Sequence, residues 1–71
     1  MKYNYMKMLG RMAELGISKE KLSKEIGIGR TSLYKKLKSE TEFTQDEIKA
    51  CVKILNLSDE DIPTYFFTAK V

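Results

Sequence analysis

Residues 18–38 read Ser18-Lys-Glu-Lys-Leu22-Ser-Lys-Glu-Ile26-Gly27-Ile28-Gly29-Arg30-Thr-Ser-Leu33-Tyr-Lys-Lys-Leu37-Lys38, and this stretch decides the fold. Leu22 and Ile26 are one turn apart, as are Leu33 and Leu37, so each pair marks the inward side of a short helix. Ser18 is an N-cap for the first helix, Lys19 to Ile26, and Ile17 before it with Leu22 after it can form a hydrophobic staple. Gly27 stops that helix, Ile28 tucks under the turn, and the second helix runs from about Arg30 to Lys38. Two short helices hinged at a glycine are the pattern of a helix-turn-helix.

The flanks supply the rest of a helical core. Tyr5, Met8, Leu9, Met12 and Leu15 recur at three- and four-residue steps, which predicts a helix over about Asn4 to Leu15 with these five on its buried face and Gly16 ending it. Gly10 within it costs about 1 kcal/mol of helix propensity relative to alanine. Met8 and Met12 belong to the stripe, which leaves Met6 as an exposed contact. Beyond the central pair, Thr44-Gln45-Asp46-Glu47 is a capping box that starts a helix at Gln45, with Ile48, Cys51, Val52 and Leu55 inward and Asn56 as a left-handed terminator. Ser58 is a further N-cap, and Asp59, Glu60 and Asp61 crowd the turn after it, where the helix dipole favours carboxylates. Pro63 keeps the last helix short or sits in its opening turn, and Phe43, in the loop before Gln45, plugs the bundle. Alternation by twos never persists. The expectation is a single all-α domain over residues 1–71, a compact bundle of about five short helices.

Composition narrows the function classes. With 71 residues, 42% hydrophobic and 32% charged, the chain can fold around one small core but not two. No apolar run nears the roughly 20 residues that span a bilayer, and Lys2, Asn4 and Lys7 interrupt any secretory h-region, so cytoplasmic residence with no membrane partner is expected. A lone Cys51 forms no internal disulfide, and a chain without histidine holds no Cys/His zinc site, so the expected metal content is none. Cys51 itself reads as a small buried hydrophobe; Lys49 and Lys53, two residues to either side, face elsewhere on a helix and lend its thiol little activation. Gly27-Ile28-Gly29 has neither a preceding strand nor a Lys-Ser/Thr ending and is no phosphate loop. No catalytic residues, cofactor or small-molecule ligand are therefore expected, and the chain does not read as an enzyme.

Charge is unevenly distributed. Residues 18–39 carry seven basic and two acidic side chains, whereas residues 40–71 carry three basic and seven acidic ones. The basic block coincides with the helix pair, where a nucleic-acid surface would need it, although lysine is also the common filler of solvated helix faces. Arg30, Thr31 and Ser32 at the opening of the second helix combine a guanine reader with two adaptable hydroxyls, and Tyr34 shares their outward side. Lys19, Lys35, Lys36 and Lys38 would neutralise phosphates, giving affinity rather than sequence choice. The acidic half is explained either by ordinary helix electrostatics or by a basic protein partner. Beside it, Tyr65, Phe66 and Phe67 cannot all turn inward, so the tail is either a lid on the core or a protein interface, including a homodimer contact.

These residues resemble the lambda-repressor-like, Cro/C1-type helix-turn-helix family in a short form found in temperate phages. The likeness is most specific from Ile17-Ser18 through Leu22, Ile26-Gly27-Ile28, Leu33 and Leu37, and extends to the Thr44–Ile48 start and the Leu55-Asn-Leu-Ser exit of the fourth helix. It implies base reading by Arg30, Thr31, Ser32 and Tyr34, and a phosphate clamp at Lys19. Many members carry glutamine where this chain has Lys19 and Arg30, so the paired-glutamine clamp is missing, and Gly29 replaces a Ser-type cap. The whole chain, through Tyr65-Phe-Phe, is also similar to the small modulator-of-repression or anti-repressor proteins encoded beside a phage repressor. That narrower resemblance implies a regulator of the lysogeny/lysis switch in a bacterial host, with the repressor's DNA-binding domain, operator DNA, or both as target. The alternative it leaves open is a Cro-like homodimer that binds operator DNA directly.

Overall fold

The computed structural model describes residues 2–70, and most of its helices begin or end at the expected caps. They are α1 (Met6–Leu15), α2 (Lys19–Ile26), α3 (Arg30–Leu37), α4 (Gln45–Ile54) and α5 (Ile62–Phe66), with a 3-10 turn at Asp59–Asp61 leading into α5. Ser18 Oγ accepts from the Lys21 N–H at 3.0 Å, and Gly16 and Gly27 adopt φ of 70° and 80° as left-handed C-caps. The capping box at α4 is formed: Thr44 Oγ1 accepts from the Glu47 N–H at 3.1 Å while Glu47 Oε1 accepts from the Thr44 N–H at 2.9 Å. Asn56 takes φ 56° after α4, and Pro63 lies in the opening turn of α5.

Two boundaries move inward from the expected ones. Helix α1 starts at Met6 rather than Asn4, because Asn4 Oδ1 accepts from the Met6 N–H at 2.8 Å and holds a turn there. Helix α3 ends at Leu37. Ser39 then enters the left-handed region at φ 63°, with its N–H on the Lys36 carbonyl and the Glu40 N–H on the Lys35 carbonyl, both at 2.9 Å.

The core joins all five helices. Met8, Leu22, Leu33, Cys51 and Leu55 are fully buried, with Met12, Tyr5, Phe43 and Phe66 closing around them. Tyr5, Phe43 and Phe66 meet edge-on: Phe43 lies 5.3 Å from Tyr5 and 5.5 Å from Phe66, with interplanar angles of 72° and 86°. Phe43 is thus the plug its position suggested. The α1 face is narrower than its periodicity implied, since Leu9 and Leu15 are exposed and only Tyr5, Met8 and Met12 go inside. Arg11 Nε donates to the Leu55 carbonyl at 3.0 Å and so satisfies an acceptor at the end of α4.

The two ends of the chain are tied together. The Asn4 N–H donates to the Thr68 carbonyl at 2.8 Å, the Lys70 N–H to the Lys2 carbonyl at 2.9 Å, and Tyr3 forms an antiparallel bridge with Ala69. This single bridge is the one sheet-like pairing among the described residues, too short to leave an alternating pattern.

Candidate recognition surface

The α2–turn–α3 unit presents its basic residues because its apolar ones are spoken for. Leu22 and Leu33 anchor the two helices in the core, with Ile26, Ile28 and Leu37 half-buried against it. At the turn, the Gly27 and Ile28 N–H groups both donate to the Ser23 carbonyl at 3.0 Å, and Ser23 Oγ, itself buried, donates back to the Glu20 carbonyl at 2.8 Å. The hinge is therefore closed by its own hydrogen bonds, which fixes α3 relative to α2.

Arg30, Thr31, Ser32, Tyr34, Lys35 and Lys38 are all exposed on α3, and Lys19 is exposed at the start of α2. Lys19 belongs with them in space, its Nζ standing 5.3 Å from the centroid of the Tyr34 ring. Gly29 caps α3 with φ −73° and ψ 157° and no side-chain hydrogen bond, as the loss of a Ser-type cap foretold.

Lys36 does not join this surface. Its Nζ lies 3.0 Å from Glu47 Oε1, donates to the Glu42 carbonyl at 2.9 Å, and sits 5.9 Å from the Phe43 ring centroid. Only 12% of the Lys36 side chain and 15% of that of Glu47 are exposed. Lys36 is thus a strut between α3 and α4 rather than a phosphate contact. Burial by itself would raise the Glu47 carboxyl, but the Thr44 N–H and the Lys36 ammonium outweigh it and hold Glu47 below the ordinary carboxylate value. Cys51 is buried, and burial, followed by the charge of Glu47, pushes its thiol up to about 12. It packs as a hydrophobe.

The aromatic tail divides. Phe66 is 1% exposed and belongs to the core trio, so it cannot serve as an interface residue in this fold. Tyr65 is half-buried against the core, and Phe67 is 50% exposed with its ring edge-on to Tyr3 at 5.6 Å. The tail is a lid at Phe66 and an open surface at Phe67.

On α1, Met6 is exposed as its place outside the stripe implied, and Leu9, expected inside, is exposed beside it. Leu9 approaches Leu37 and Lys38 of α3, and Met6 extends the same apolar strip. The signal was present in the width of the stripe: on a wheel of about 100° per residue, Leu9 lies about 40° beyond Tyr5, at the edge opposite Met8. Among the described residues no helix is long and apolar enough to cross a membrane, and no cluster of three potential metal-ligating side chains occurs.

Comparison with known proteins bears on the family and the fold. A family model described as "Protein of unknown function (DUF739)" matches residues 1–69. No curated protein matches significantly. Among solved structures, the solution structure of the modulator of repression (MOR) of the temperate bacteriophage TP901-1 from Lactococcus lactis is similar along the whole chain, with 34% identity, a TM-score of 0.79, and coverage of 100% of this chain and 96% of that one. The chain belongs to the DUF739 family, and it has the fold of a phage modulator of repression.

Proposed function

We propose that this protein regulates a phage lysogeny/lysis switch as a modulator of repression, an anti-repressor that engages the DNA-binding domain of a partner repressor, alone or together with it on operator DNA. The observation that carries this reading is the end-to-end likeness to the phage TP901-1 modulator of repression, which spans the whole of this chain. The working surface is α3 with the start of α2: Lys19, Arg30, Thr31, Ser32, Tyr34, Lys35 and Lys38, all exposed. Residence in the cytoplasm of the bacterial host follows from that role.

A Cro-like homodimer that reads an operator alone is the second reading, favoured by the seven basic side chains of residues 18–39 and by the exposed hydroxyls of Thr31 and Ser32 beside Arg30. A gel shift on the phage switch region separates the two. The protein alone, the repressor encoded in the same genome alone, and both together are compared. An altered or abolished repressor shift, with no shift by this protein alone, is the expected result; tight sequence-selective binding by this protein alone would instead establish the Cro-like reading. If Arg30→Ala combined with Lys35→Ala left every regulatory effect intact, α3 would not be the working surface.

A further inference from the structure

We propose that the groove between α1 and the C-terminal half of α3 is the seat of an acidic, amphipathic helix supplied by the partner repressor; the proposal rests on the anti-repressor reading and assigns it a surface. Leu9 of α1, Tyr34, Leu37 and Lys38 of α3 and Lys19 of α2 line a depression of about 170 Å³. A second depression of about 250 Å³ shares Leu9, Leu37 and Lys38 and continues past Met6 to Lys70. The two form one continuous groove.

Its floor is apolar to an unusual degree for this molecule. Met6 is 72% exposed, Tyr34 43% and Leu9 36%, and these are three of the five large hydrophobic side chains left exposed among the described residues. Apolar side chains scattered singly over a surface need no partner, whereas a contiguous strip rimmed by charge marks a protein contact. The rim is of one sign. Among the described residues no carboxylate side chain lines either depression, and Lys19, Lys38 and Lys70 pair with none. A strip of Leu, Met and Tyr between lysines is complementary to a helix with apolar residues along one face and Asp or Glu on its flanks.

A helix fits better than an extended segment. The walls are α1 and α3, whose backbone groups are consumed by their own hydrogen bonds, and the nearby Tyr3–Ala69 bridge already pairs the chain ends. Recognition must therefore proceed through side chains rather than strand addition. Nucleic acid suits the floor poorly, because rows of phosphates would press charge against Met6 and Leu9. A second copy of this chain would have to offer its acidic half, residues 40–71, to the groove, and that outcome is read directly by the concentration dependence of the shifts in the test below.

The test is an NMR titration of the ¹⁵N-labelled chain with the repressor encoded in the same genome, alongside binding measurements on variants. Amide shifts centred on Met6, Leu9, Tyr34, Leu37 and Lys38 are expected, with Lys38→Glu and Leu9→Ser each weakening the complex roughly tenfold or more. Lys49→Glu, on the exposed side of α4, serves as the remote control. Thermal melts of both groove variants establish that they remain folded, and Lys38→Glu, fully on the surface, keeps the test decisive should Leu9→Ser unfold. Unchanged affinity in Lys38→Glu, with shifts confined to Arg30, Thr31 and Ser32, would overturn the groove while the anti-repressor reading stands. Groove shifts that appear only with an operator duplex, or only on raising the concentration of the chain itself, would overturn it in favour of DNA or a second copy. Failure of the repressor to bind at all would overturn both.

Discussion

Lys36→Ala is expected to damage the fold, whereas Lys35→Ala, its immediate neighbour, is expected to damage only recognition. Lys36 holds Glu47 at 3.0 Å and the Glu42 carbonyl at 2.9 Å, in a site where both charged side chains are largely covered. An exposed ion pair contributes about 0–1 kcal/mol and a fully buried pair costs about 3–5 kcal/mol when one partner is deleted. The partial burial here places the loss between these limits, at about 1–3 kcal/mol. For a chain of this size each 1 kcal/mol lowers Tm by roughly 4–8 °C, so the variant should melt at least several degrees below the parent. Lys35→Ala should stay within about 0.5 kcal/mol, since its side chain stands in solvent. Urea unfolding followed by circular dichroism measures both, and a double-mutant cycle with Glu47→Gln isolates the coupling. The coupling should also depend on pH in one direction. Because the folded protein holds the Glu47 carboxyl below its ordinary 4.5, the stabilisation is present in full above that value and fades as pH falls through the lower, folded one. Equal stability of the two alanine variants, with Lys36→Ala losing DNA or repressor binding, would refute the assignment of Lys36 as a strut.

Three further outcomes follow from the packing. Phe66→Ala should cost about 3–5 kcal/mol and leave the protein barely folded, while Phe67→Ala should melt close to the parent; a Phe66→Ala protein as stable as the parent would mean that the tail does not close the core. Cys51 should resist a thiol reagent at pH 8 in the folded state and react at once in denaturing urea, and fast labelling of the native protein would contradict its burial. Gly29→Ser should raise stability by about 0.5–1 kcal/mol, because the φ there is ordinary, a Cβ would meet nothing within 4 Å, and the serine oxygen supplies the missing cap; a lower unfolding midpoint in urea would count against that account.

The helix boundaries were legible because caps are local. Ser18, Gly27, Thr44 with Glu47, and Asn56 each act within a turn of themselves, and each does in the fold what its chemistry requires in isolation. Legibility fails where a partner distant in sequence decides. The stripe of α1 is five residues wide on a wheel, but the neighbours packed against it cover only Tyr5, Met8 and Met12, so Leu9 and Leu15 stay outside. Nothing in Tyr3 or Ala69 announces that the chain ends meet. Ser39 is unreadable for the same reason: its left-handed φ of 63° goes with an Oγ that accepts from the Tyr3 N–H at 3.1 Å, 36 residues away in the chain.

The basic block is where the sequence held more than its charge count conveyed. On a wheel of about 100° per residue, Lys36 falls about 60° outside Leu33 on one side of the inward stripe of α3, and Tyr34 about 60° outside Leu37 on the other. The two flanks must therefore meet different neighbours, a consequence of periodicity alone. Which neighbours they meet is set by tertiary packing: the α4 carboxylate of Glu47 on one flank, and Leu9 with Lys19 on the other. One flank of α3 is consequently locked into the fold by an ion pair, and the opposite one is left apolar and edged with lysines that pair with no carboxylate side chain among the described residues. A partner that approaches α3 from the Tyr34 side can bury Leu9 and Leu37 and satisfy Lys19 and Lys38 in the same contact, whereas an approach from the Lys36 side would first have to break the strut. The proposed recognition surface is thus directional, and its direction follows from which lysine the core has already taken.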